Sequence, residues 1–289
     1  MSVRNPVLRL GKGLMVNSSY GLRKLRGASV TGRILMYHRV DDVQGDRLVV
    51  NPEAFKEQMR WLKRQEIRVV DLDTLISSLE YADENSINQV AITFDDGYED
   101  NHRHAWPILR QFGYPATVFV SAGLIGTDRP IPAERPYATP AKVMTWEQLE
   151  EMAKDNITIG SHALTHARLT RIPLERVKQE VAESKRILEE RLDCRVDWFC
   201  YPSGAYSVDV VKLVQWAGYY GACTVRPGAN SARTHRFLLR RTEISGEDIL
   251  GSFKKKLTGA YDGWHTLVQS MQHWSHRKKR HSAGVNDGA

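Results

Sequence analysis

Residues 89–102 read QVAITFDDGYEDNH. QVAITF (89–94) is a short apolar run bounded by polar residues, the length and composition of a buried β-strand. It ends on two adjacent carboxylates, Asp95 and Asp96, which repel one another and bring a strand end no structural gain. That placement directs the reading to chemistry at strand ends.

Working outward, RILMYH (33–38) is a second short apolar strand, and PEAFKEQMRWLKRQ (52–65) a helix with Phe55, Met59 and Leu62 on one face. IRVVDL followed by DTLISSLEYA repeats strand then helix. Beyond the carboxylates, NHRHAWPILRQFG is predicted as one helix closed by Gly113, and PATVFVSA (115–122) as a strand. After a Pro-rich loop (130–140), MTWEQLEEMAKD is a helix opened by Thr145, with Gln148 three residues on in a capping box. ITIGSHA (157–163) is a strand, and PLERVKQEVAESKRILEERL a long helix turning Val177, Val181, Ser184 and Leu188 inward. DWFCYPSG (197–204), VDVVKLVQWAG and YGACTV continue the alternation, and residues 246–274 form a last helical region before the basic tail SHRKKRHSAGVNDGA. Alternating βα units imply a parallel sheet, open or closed into a barrel, with chemistry on the loops after the strands' C-terminal ends.

The 289 residues, 42% of them hydrophobic, suffice for one α/β barrel or two small domains. The formal charge of +7 is uneven. Residues 1–40 carry +8 and 263–289 carry +3, leaving −4 for 41–262, so the basic character belongs to the ends and a nucleic-acid groove on the body is disfavoured. Cys194, Cys200 and Cys223 form no CxxC pair and are expected to be buried free thiols. No run approaches the ~18 apolar residues of a spanning helix. The N-terminal segment lacks a secretory h-region and cleavage site, so the expected location is the cytoplasm or, peripherally, the inner face of the membrane. Val7, Leu10, Leu14, Ser18, Leu22 and Leu25 recur at helical spacing among basic residues. Such a stripe through residues 1–26 suits an anionic membrane surface, with packing against the protein's own body as the alternative.

Four polar groups fall at predicted strand ends: His38, the Asp95–Asp96 pair, His162 with His166, and YPSG (201–204). Singly, each has an ordinary explanation: a core histidine for His38, two helix-surface residues for the HxxxH pair. Their convergence is the signal. If Asp96 joins His162 and His166 around a divalent ion, its charge is neutralised and Asp95 stays ionised to accept a proton from water. Two histidines and a carboxylate suit Zn²⁺ first, with Co²⁺, Ni²⁺ and Fe²⁺ also compatible.

TFDDG (93–97), SHALTH (161–166) and FCYPSG (199–204), in this order, resemble the NodB-homology polysaccharide deacetylases, carbohydrate esterase family 4. The similarity spans about residues 33–258. It implies a distorted (β/α)7 barrel, with Asp95 as general base, Asp96, His162 and His166 as metal ligands, and the backbone N–H of Ser203 in the oxyanion hole. Phe199 stands where many members carry arginine, Ser203 where many carry tyrosine, and the late Leu-x-His motif of the catalytic acid is absent. The start LMYHRV resembles the circularly permuted branch typified by poly-β-1,6-N-acetylglucosamine deacetylases. That resemblance makes His38 the acid, ahead of His235, and Arg241 the partner orienting Asp95.

The expected organisation is a basic amphipathic segment (1–32), a deacetylase domain (33–258) and a C-terminal helix with a basic tail (259–289). The expected activity is hydrolysis of an N-acetyl or N-formyl group of an amino sugar in surface polysaccharide, lipopolysaccharide or a lipid-linked oligosaccharide. The competing reading, a catalytically silent carbohydrate-binding member of the same fold, is opposed by the complete set of base, ligands and acid. A nucleic-acid binder rests on the tails alone. Tyr98, Trp146 and Trp264 are candidates for a sugar groove, with core packing as the alternative.

Overall fold

The computed structural model describes residues 6–25, 32–81, 88–132 and 141–264. The basic tail, residues 265–274 of the last helical region and most of the Pro-rich loop lie outside them. The chain divides into two compact units, Val30–Phe253 and Met1–Ser29 with Lys254–Ala289.

After α1 (Pro6–Leu25), which belongs to the smaller unit, the larger unit runs β1 (Arg33–Tyr37), β2 (Arg39–Val40), β3 (Val49–Val50), α2 (Pro52–Arg64), β4 (Arg68–Val69), α3 (Leu72–Glu80) and β5 (Gln89–Phe94). It continues through α4 (Trp106–Phe112), β6 (Ala116–Val120), α5 (Trp146–Ala153), β7 (Ile157–Ser161), α6 (Leu174–Leu192), β8 (Trp198–Cys200), α7 (Val208–Trp216), β9 (Gly221–Cys223) and β10 (Thr242–Glu243). The strands pair in the order β10-β1-β5-β6-β7-β8-β9, with β4 on the early part of β5. Each of these pairings is parallel. Leu239, just before β10, bridges to Cys223 at the end of β9, so the segment 239–243 touches both edges and the sheet curls round on itself. This is the distorted (β/α) barrel that the resemblance implies.

The barrel follows from the apolar runs. Ile34, Ala91, Phe119, Trp198, Cys200, Cys223 and Leu239 meet in one cluster, joined by Leu75, Ile76 and Leu79 of α3. Each large side chain so buried stabilises by roughly 1.5–3 kcal/mol. Asn51 caps α2 by accepting from Glu53 N–H, and α2 buries Phe55, Met59 and Leu62 as its spacing predicts. The Thr145–Gln148 capping box is present on α5.

One helix departs from its expectation. Residues 101–112 are not a single α-helix: Asn101–Ala105 form a wide π turn that passes into α4. Pro107 has no N–H to return to the carbonyl of residue 103, which disrupts the regular ladder at that point. Gly113 closes α4 in the left-handed region, as predicted.

In the smaller unit, α1 (Pro6–Leu25) places Val16 in the interior, with Lys12 5.3 Å from the ring centroid of Tyr261 and Lys255 donating to Asn17. Leu14 of the predicted stripe is 63% exposed and Ser18 is exposed, so the stripe does not pack at these two positions. The packing alternative therefore fails at these two residues; the side chains of Val7, Leu10, Leu22 and Leu25 lie outside the described residues. No described helix is long and apolar enough to cross a membrane. α8 (Leu250–Leu257) is the last α-helix with described bounds.

Candidate active site

Register gathers the motifs. Tyr37 pairs with Phe94, so His38 and Asp95 leave neighbouring strands side by side. Val120 pairs with Ser161 and Ser161 with Phe199, which brings His162 and the segment after β8 to the same end of the barrel.

The two aspartates have different partners. Asp95 receives both arms of Arg241, Nη1 to Oδ1 at 2.6 Å and Nη2 to Oδ2 at 2.7 Å. Arg241 also donates to Thr93 Oγ1, to the Thr224 carbonyl and to Cys200 Sγ, so every arm of its guanidinium is held. Burial pushes the Asp95 carboxyl up; the Arg241 charge and hydrogen bonds outweigh it, aided by His162 and His38, and Asp95 lies below its ordinary range. It is ionised throughout the neutral range.

Asp96 Oδ1 lies 3.5 Å from His162 Nε2 and 3.2 Å from His166 Nε2, all three residues buried. Burial raises Asp96 as well, and the two imidazoles more than reverse it, to well below the carboxylate range; burial lowers His166 and Asp96 brings it back above its usual value. His162 Nδ1 faces the Cys200 carbonyl at 2.8 Å and His166 Nδ1 the Pro132 carbonyl at 3.0 Å. A carbonyl only accepts, so each Nδ1 carries hydrogen and each Nε2 is left to coordinate. Tetrahedral ligands at zinc distances stand ~3.3 Å apart, which matches the spacings seen, so these residues fit a divalent ion. Asp95, His162 and Cys200 also lie close together. There the Arg241 guanidinium already fills the space a cation would need.

The turns bearing these groups are strained. Asp96, Ala163, His166 and Ser203 are four of the eight described non-glycine residues with positive φ, a concentration typical of functional sites. Gly97 cannot be replaced cheaply: at φ 70° an added Cβ would stand 2.8 Å from Val120 Cγ1. Ser203 is exposed in the turn after β8, and its N–H makes no backbone hydrogen bond among the described residues.

HxxxH here is a turn, not a helix surface. Sequence reasoning missed what holds it: Glu180 of α6 is fully buried and accepts from Leu164 N–H, Thr165 N–H, Thr165 Oγ1 and Arg176. A glutamate on the inward stripe of an amphipathic helix was the available signal. Cys200 was also missed as a neighbour of Asp95. Burial raises the thiols of Cys200 and Cys223, the latter to about 12, and both are free; Cys194 is exposed, against expectation.

His38 is half-buried at the end of β1 and acts electrostatically on both aspartates. His235 instead caps a 3₁₀ turn, exposed, accepting from Phe237 N–H. Tyr98 is buried among Leu124, Ile131 and Val143, so core packing accounts for it. Trp146 lies under Arg191, and Trp264 belongs to the smaller unit.

The family model of the polysaccharide deacetylases matches residues 82–222. YxkH of Bacillus subtilis, a polysaccharide deacetylase by name, is 30% identical over 212 residues, which cover 73% of this chain and 71% of the relative. The chain belongs to the polysaccharide deacetylase family. A poly-β-1,6-N-acetyl-D-glucosamine N-deacetylase of Staphylococcus aureus is 22% identical over 75% of this chain and 73% of its own. Among solved structures, the Streptococcus pyogenes deacetylase PplD, in complex with acetate, superposes with a TM-score of 0.70 at 24% identity, covering 79% of this chain and 99% of that one. The deacetylase is therefore a hydrolase acting on polysaccharide, and the silent carbohydrate-binding alternative is set aside.

Proposed function

We propose that this deacetylase uses a divalent metal ion to remove the N-acetyl group from an amino sugar of a glycan, with Asp95 as base and His38 as acid. The observation that carries the reading is the separation of the adjacent aspartates, one clamped by Arg241 and the other facing two imidazole Nε2 atoms.

Asp96, His162 and His166 would hold the ion, which when bound supplies Lewis acidity toward water and the acyl oxygen. Zn²⁺ suits the donor set first, and Co²⁺, Ni²⁺ or Fe²⁺ are alternatives. Asp95 accepts a proton from the attacking water; the Arg241 clamp keeps it ionised at the cost of some basicity. As the carbonyl carbon becomes tetrahedral, the Ser203 N–H donates to the oxygen that gains charge. His38 gives a proton to the nitrogen as the C–N bond breaks, releasing acetate and the free amine.

The amino-sugar substrate draws support from the name of the S. aureus relative. We place the glycan on the cytoplasmic face of the membrane, as a lipid-linked or surface-polysaccharide precursor. α1, with Arg9, Lys12, Arg23 and Lys24, no acidic residue and an exposed Leu14, suits contact with an anionic surface there.

The test is acetate release from N-acetylglucosamine oligomers and lipid-linked glycans by the full chain, metal-loaded or chelator-treated. Release should require the ion and fall ~10²–10⁴-fold in Asp95→Asn. Undiminished release by that variant would sink the assignment.

A further inference from the structure

The stretch Tyr98–His102 has no part in the mechanism above, yet Asp100 within it is buried and fully engaged. Its Oδ2 accepts from Arg39 Nε at 2.7 Å and its Oδ1 from Val40 N–H at 3.1 Å. Arg39 reaches Asp41 as well and lies 5.4 Å from the Tyr98 ring centroid. Arg39 and Val40 directly follow His38. On the other side of His38, the Tyr37 carbonyl accepts from Asp95 N–H at 3.0 Å. The peptide bearing His38 is thus bracketed by two attachments to Asp95–Asp100, the short segment that also carries the base and a metal ligand.

The imidazole itself has no such attachment: His38 Nδ1 is buried and makes no hydrogen bond among the described residues. No hydrogen bond at that nitrogen aims the ring, so the placement of its main chain bears on where it points. We propose that Asp100, through Arg39 and the Val40 N–H, is a positioning residue that aims His38 at the leaving nitrogen. This rests on His38 being the acid.

A purely stabilising ion pair is a poor explanation. Asp100 and Arg39 are 4% and 3% exposed, and desolvating both charges offsets most of what their attraction returns. Burial pushes the Asp100 carboxyl up to about 6 despite the pull of Arg39, so at neutral pH the ionised pair is kept at some cost. The π turn that begins at Asn101 places Asp100 just ahead of its first residue, beside β2.

The test is a double-mutant cycle on the full chain, reading kcat, KM, bound metal and thermal midpoint. Asp100→Asn should lower kcat about 10- to 100-fold, the loss expected for an acid displaced by about 1 Å, with KM and bound metal unchanged. In a His38→Ala background the same substitution should remove nothing further. Arg39→Lys keeps the charge without the planar fork and should give a smaller loss with the same dependence on His38, which provides a second cycle if Asp100→Asn folds poorly. An unchanged kcat in Asp100→Asn, or an equal fold-loss in both backgrounds, overturns the inference while leaving the acid intact. A His38→Ala variant with wild-type kcat overturns the acid assignment and this inference together.

Discussion

Arg186 meets Glu190 on α6 at 2.7 Å, and Arg241 meets Asp95 in the site at 2.6 Å. The distances are alike and the surroundings are not. The α6 side chains are 55% and 60% exposed, whereas those in the site are 0% and 3%. Water and salt screen the first pair, and two long flexible chains must be ordered to form it. The second is shielded, and each partner is the other's replacement for lost hydration. Geometry alone therefore does not rank ion pairs: removing one partner in the site strands a buried charge, while on α6 it returns a charge to water.

The sharpest way to break the comparison is Arg241→Ala. We expect a loss of ~3–5 kcal/mol at pH 7, because Asp95 is left buried without its counter-charge. The sign of the pH dependence is a second check. In the wild type Asp95 titrates below the usual carboxylate range, so its contribution is present above ~pH 4 and is lost as pH falls through the folded-state value. In the variant the largest lowering influence on Asp95 is gone and burial acts against only the weaker pull of His162 and His38, so Asp95 rises and the folded state is penalised as pH rises and the carboxyl ionises. The stability gap should widen from pH 4 to pH 7 in denaturant melts. A gap independent of pH would show that Asp95 is not the group left unpaired.

Glu180 occupies a middle position, a buried carboxylate satisfied mostly by neutral donors. Glu180→Gln retains one acceptor oxygen and replaces the other with a donor facing N–H groups. The turn carrying His162 and His166 should loosen, weakening metal affinity ~10–100-fold in chelator competition while kcat at saturating metal stays near wild type. Unaltered affinity would mean that the turn is held by Ser184, which donates to the Ala163 carbonyl, rather than by Glu180.

These differences also explain what was legible in the sequence. Strands and helices follow local periodicity, so β5, α2, α5 and α6 fall where their apolar spacing places them. Asp96, His162 and His166 converge because each lies at a strand end, and strand ends can be read locally. The Arg241–Asp95 pair joins residues 146 positions apart, and spacing carries no trace of it; only resemblance suggested it. Pro107, seventh in the predicted helix, marks a break in it, but spacing does not say whether the residues before the break stay α-helical or widen into the π turn at Asn101–Ala105. Glu180 was visible as a charge on the inward stripe, but its partners lie in a turn outside the helix. Which face of α1 packs stays open in the sequence because Leu14 and Val16 are equally apolar, and only tertiary contact chooses between them.

The smallest expected effect comes from Arg186→Ala, and it tests the exposed side of the comparison. Glu190 follows Arg186 by four residues, the order less favourable to the helix dipole than the reverse. Glu183 also lies near Arg186, at 3.9 Å, so the charge is shared between two weak partners rather than committed to one. Neither carboxylate is desolvated, and both stay hydrated when the guanidinium is gone. Alanine moreover has the highest helix propensity, which offsets whatever attraction is lost. The thermal midpoint should be indistinguishable from wild type, and acetate release unchanged. A clear drop in the midpoint would mean that exposure is a poor guide to the worth of an ion pair in this chain, and that the contrast with Arg241 rests on more than burial.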